Sequence, residues 1–153
     1  MYNKQEASAV RQKFWTQFGQ YMSPVPSASG EKVNWVNYKT GIKGISFRSD
    51  ADNNQAYTAV EISVPDKMLQ HRYFDIFRTF KKQFEAVAGK DWEMRAESTG
   101  TGGNEMSSIR VELNNINIFR ESDRPAIVSF LKQNIIALDA FWSEYKPAFE
   151  MIH

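Results

Sequence analysis

The chain has 153 residues, 42% apolar and 24% charged, the composition of a single globular domain over residues 1–153. It contains no cysteine, which excludes disulfides, iron–sulfur clusters, thiol nucleophiles and cysteine-based zinc sites. The formal charge of +1 gives no overall footprint for nucleic acid, although residues 1–48 carry seven Lys/Arg against two Asp/Glu and residues 91–153 carry six against ten.

Asn3 is suited to cap a first helix, with Glu6 completing the box. Ala7, Val10, Phe14, Phe18 and Tyr21 then recur at helical spacing as one buried stripe. Pro24 and Pro26 end that helix. Residues 33–38 alternate as a strand, and Lys39-Thr40-Gly41 supplies a turn. A second strand over 42–49 and a third over 55–64 flank the turn Ala51-Asp52-Asn53-Asn54. Pro65 and Asp66 open a long second helix, with Leu69, Tyr73, Phe77, Phe80 and Phe84 on its buried side and Gly89 as its C-cap. Trp92, Met94 and Ala96 alternate with Glu93, Arg95 and Glu97, a fourth strand. A glycine-rich hairpin loop over 98–104 leads to a fifth, in which Ile109, Val111 and Leu113 alternate with Ser108, Arg110 and Glu112. Ser122 or Asp123 caps a last helix, with Pro125 in its first turn and Ile127, Leu131, Ile135, Leu138 and Trp142 facing the core.

The order α-β-β-β-α-β-β-α predicts an α+β two-layer sandwich. A largely antiparallel five-stranded sheet carries three helices on one side. Tight turns place Ile45 near Val60 and Arg48 opposite Tyr57, an arrangement that permits a cation–π contact. Because alternate side chains project oppositely, Trp35, Ile45, Phe47, Val60 and Ile62 share the core face. Asn34, Tyr38, Arg48, Asp50, Tyr57 and Glu61 share the other, joined by Arg110 from the second hairpin. Such a face is either a binding surface or a solvated one whose charges pair with each other.

Other chemistries find little support. His71 lies off the apolar stripe of its helix and His153 is terminal, so no metal-ligand spacing arises. No Gly-x-Ser-x-Gly accompanies a histidine. The run from Gly100 to Asn104 lacks the lysine of a phosphate loop and precedes a strand. Lys67, His71, Arg78 and Lys82 line one side of the second helix, interrupted by Asp75 and Glu85, the pattern of a solvated basic side. The opening order α-β-β-β-α-β resembles the core of PD-(D/E)xK nucleases, with Asp50 and Glu61-Ile62-Ser63 echoing their acidic motif. Ser63 stands where that motif needs lysine, for which Lys43 is the substitute.

The runs Phe14-Trp15-x-x-Phe18-Gly19-Gln20-Tyr21-Met22-Ser23-Pro24 and Asn34-Trp35-Val36-Asn37-Tyr38-Lys39-Thr40-Gly41-Ile42, with Phe47-Arg48, Asp50 and Val60-Glu61-Ile62, resemble a bacterial domain-of-unknown-function family. Its members occur alone and as C-terminal domains of restriction-endonuclease-like proteins. The resemblance implies a bacterial cytoplasmic protein with a DNA-related accessory role, and brings no catalytic residues. The absence of an apolar run of membrane-spanning length, or of a signal segment behind Met1, fits that expectation.

The sequence therefore points to a non-enzymatic cytoplasmic binding module needing no cofactor or metal. Nucleic acid or a nucleic-acid-processing protein is its expected partner. Asn34, Tyr38, Arg48, Asp50, Tyr57, Glu61 and Arg110 are its candidate binding residues. A divergent metal-dependent nuclease and a homodimeric interaction protein are the alternatives.

Overall fold

A computed structural model of the chain describes residues 2–100 and 102–152. Met1, Thr101 of the hairpin loop and the terminal His153 lie outside the described residues. Among those described there are four α-helices and four strands, in the order α1 (Lys4–Met22), β1 (Ile45–Ala51), β2 (Gln55–Ile62), α2 (Lys67–Thr79), α3 (Lys81–Ala88), β3 (Glu93–Thr99), β4 (Glu105–Asn114) and α4 (Arg124–Glu150). A short 3-10 turn, Glu121–Asp123, precedes α4.

The α+β class holds, but the five strands and three helices expected above do not. Residues 33–38 form an irregular segment with bends at 35–37 instead of a strand. The cause is local. Asn34 Oδ1 accepts the backbone N–H of Val36 at 3.0 Å and of Asn37 at 2.9 Å. Those donors are spent on a side chain and cannot join a ladder. The following strand starts at Ile45 because Gly44 adopts φ +93° and the Ile45 N–H turns back to the Ile42 carbonyl. The long second helix is broken at Phe80, whose φ of −97° and ψ of 24° leave the helical region. Thr79 Oγ1 donates to the Asp75 carbonyl at 2.8 Å, a back-bond of the kind that bends helices.

The sheet order is β1-β2-β4-β3, antiparallel throughout. Ile45 pairs with Ile62 and Phe47 with Val60, two residues away from the expected register. An even slip leaves every side chain on its face, so the alternation survives the error. Between Arg95 and Ser98 the β3–β4 register shifts by one residue, a bulge that bends this edge strand.

The core lies on one face only. There α4 packs under β1 and β2, and α2 under β2 and β4. Phe77, Phe141, Trp142 and Phe149 form its centre, with the Phe77 and Phe149 rings 4.8 Å apart. Each such ring contributes roughly 1.5–3 kcal/mol by leaving water. Asn3 caps α1 by accepting the Glu6 N–H at 2.8 Å, and Phe14, Phe18 and Met22 turn inward. Tyr21, expected in that stripe, is 52% exposed and lies under the Lys132 ammonium instead.

Candidate functional site

With helices covering one face, the other shows what the strands project outward. The pairing arranges these residues in rows. Asp50, Tyr57 and Glu112 form one row. Arg48, Ala59, Arg110 and Glu93 form the next, and Ser46, Glu61, Ser108 and Arg95 the third. Ala59 is the small residue at the middle, and longer neighbours on both sides bury it. A trough of about 490 Å³ runs over Ala59 and Ser108, walled by Tyr57, Glu61, Arg95 and Arg110.

Arg110 Cζ sits 3.7 Å above the Tyr57 ring centroid. This is the cation–π contact that the sequence assigned to Arg48. The two-residue difference in register puts Asp50 opposite Tyr57 and moves Arg48 opposite Ala59. Arg110 Nε also lies 2.7 Å from Glu112 Oε2. Its N–H is not aimed at that oxygen, so the pair is a charge contact without a hydrogen bond at this atom. Arg95 grips Glu93 with two hydrogen bonds, at 3.0 and 3.2 Å. Both pairs run along single strands between residues on the same face. Burial raises the Tyr57 hydroxyl above its ordinary pKa. Arg48 is the largest opposing charge, while Asp50 and Glu61 push the same way as burial.

Five of the candidate residues, Arg48, Asp50, Tyr57, Glu61 and Arg110, therefore share the open face. Asn34 and Tyr38 do not. Asn34 closes its own turn. Tyr38 stacks on Phe47 at 5.1 Å, on the core side, and its hydroxyl donates to Asp139 Oδ1 at 2.5 Å. The other Asp139 oxygen accepts the Ala28 N–H at 2.7 Å. Burial, and then the bond to Asp139, drives the Tyr38 pKa well above the tyrosine range. Thr40 Oγ1 donates to the Ile45 carbonyl at 2.6 Å, and Trp142 Nε1 donates to the Thr40 carbonyl at 2.8 Å. Residues 34–41 are thus a latch between α4 and β1.

Asp50 is bound by Arg11 of α1 at 2.7 Å. Its row lies four residues along β2 from that of Glu61. At the usual strand rise this is roughly 13 Å, beyond what one metal ion's ligands span. Lys43 precedes β1 and has no place in the ladder beside Ile62. Among the described residues no three His, Asp or Glu side chains converge as metal ligands.

The linear pattern gave no hint of Trp15. It is half-buried at the meeting point of two grooves, one between α1 and residues 32–37 and one between residues 36–39 and β1. Only the tertiary placement of a non-strand segment beside α1 creates them.

Among the described residues no helix is long and apolar enough to cross a membrane. No curated protein and no solved structure matches the chain. A family model described as "Domain of unknown function (DUF4268)" matches residues 10–146, nearly the whole chain, which therefore belongs to that family.

Proposed function

We propose that this chain is a non-enzymatic accessory domain of the bacterial cytoplasm that docks onto a nucleic-acid-processing protein through its open sheet face. The observation that carries this is the trough itself. It is concave, it has an aromatic ring clamped under Arg110, and four of its charges are fixed in two strand-borne pairs. Preorganised polar groups around an aromatic anchor suit a protein interface. Carboxylates outnumber guanidiniums along the trough, with Glu61, Asp91, Glu93 and Glu112 against Arg95 and Arg110. That balance favours a protein surface over a phosphate backbone at this face. The association with restriction-endonuclease-like proteins that the resemblance implies suggests the kind of partner.

Site-specific photo-crosslinking in the native cell tests it. A crosslinker at Asn114, exposed and lining the trough, is expected to capture one nucleic-acid-processing protein. A crosslinker at Arg72, exposed on α2, is expected not to. Tyr57→Ala and Arg110→Ala should each weaken the Asn114 adduct. Identical capture from both positions, or capture indifferent to both substitutions, overturns the reading.

A further inference from the structure

We infer that the groove joining α1, residues 32–39 and the edge of β1 is a binding site for single-stranded nucleic acid, with Trp15 as its stacking platform. This site meets the trough at Glu61 but rests on Trp15, Lys32, Lys39 and Arg48, which do not line the trough.

Two grooves, of about 730 and 540 Å³, share Trp15, Val36 and Asn37 and so run into one another. The Trp15 ring is half-buried, braced edge-on by Phe14 at 5.2 Å and by Phe18 at 5.8 Å. A braced ring with a wet side costs little entropy to stack upon. Lys32, Lys39 and Arg48 line the path, all exposed, and none has a carboxylate in ion-pair range among the described residues. Two carboxylates also line it. Asp50 is already neutralised by Arg11, and Glu61 stands where the groove gives way to the trough. Among the described residues the half nearer α1 is lined by no acidic residue, and besides Lys32 its polar groups are the neutral side chains of Gln12, Thr16, Gln20, Ser23, Asn34 and Asn37. A path of cations, amides and aromatic rings, with Trp15 where the two grooves meet, matches what a strand presents, namely phosphates along one side and base faces and edges along the other. Stacking on a half-buried ring requires an unpaired base, because duplex bases are covered by their neighbours.

Fluorescence anisotropy of a labelled single-stranded oligonucleotide of roughly a dozen nucleotides, titrated with the full chain, tests the site. Binding is expected to weaken with salt, with a logarithmic slope of about −2 for three phosphate contacts at about −0.7 each. Lys32→Ala, Lys39→Ala and Arg48→Ala should each reduce the slope by about 0.7. Trp35, Trp92 and Trp142 are buried, so quenching of tryptophan emission on binding reports Trp15. Trp15→Phe should abolish the quench. If that variant does not fold, the Lys32→Ala/Lys39→Ala pair, both fully on the surface, decides by slope alone. No anisotropy change at low salt overturns the inference. So does binding without quench, an unchanged slope in the lysine pair, or equal competition by polyglutamate or duplex DNA. Arg110→Ala is expected to leave strand binding intact, so failure here is separable from failure of the docking face.

Discussion

Residues 34–41 and the outer sheet face are both dense in aromatic and polar side chains, and they use them in opposite ways. In the segment three of the polar groups are held by fixed partners. Asn34 serves its own turn, Tyr38 serves Asp139, and Thr40 serves Ile45. On the face the charges stay at the surface, Arg95 and Arg110 paired with neighbours on the same strand and Asp50 with Arg11 of α1, and Arg48 and Glu61 have no ion pair among the described residues. An unusual run of residues therefore need not mark chemistry. Fully satisfied groups hold a fold together, whereas groups left half-satisfied at a surface remain available to a partner.

Removing the latch's centre should separate the two regions most sharply. Asp139→Ala takes from the half-buried Tyr38 hydroxyl and the Ala28 N–H their shared buried acceptor. The expected loss is about 3 kcal/mol in denaturant unfolding, near the contribution of two hydrogen bonds to a charged group. Asp139→Asn, which keeps one acceptor oxygen, should lose less. A loss from Asp139→Ala no greater than that from any single face substitution would erase the distinction.

Tyr38 offers the same contrast through pH. Its folded pKa lies above that of the unfolded chain, raised first by burial and then by Asp139. Above pH about 10 the unfolded chain releases a proton that the folded chain keeps. Its contribution to stability is therefore full below that pH and falls as pH rises past it. Tyr38→Phe should cost about 1.5 kcal/mol at neutral pH and flatten the alkaline fall. An alkaline fall as steep in Tyr38→Phe as in the parent would show that the latch is not its source.

Much of the outer face was legible in the sequence, because a period of two survives an even error in register. Arg48, Tyr57 and Glu61 stay together whether Ile45 meets Val60 or Ile62. What an even error does change is the identity of neighbours, so the ring under a guanidinium is paired with Arg110 and not Arg48. Residues 33–38 misled because alternation says nothing of which acceptor a backbone N–H will choose, and Asn34 wins that competition locally. The break at Phe80 has neither proline nor glycine to announce it. The groove at Trp15 is the least legible of all, since it exists only where a misread segment packs beside a helix.

Two smaller effects bear on the turn and on the face. Asn34→Ala releases two exposed backbone donors that water can then take up, so it should cost only about 1 kcal/mol, with the latch otherwise in place. Arg110→Ala removes the cation over Tyr57 and the contact with Glu112, both about one-third exposed to solvent. Screening keeps that loss to about 0.5 kcal/mol in unfolding, well under the latch variants. The consequence for recognition is expected to be large by comparison, because the guanidinium covers the one aromatic ring that lines the trough among the described residues. A variant that unfolds almost as the parent does yet loses the Asn114 crosslink would place Arg110 among residues kept for a partner. One that loses stability as Asp139→Ala does would place it with the latch.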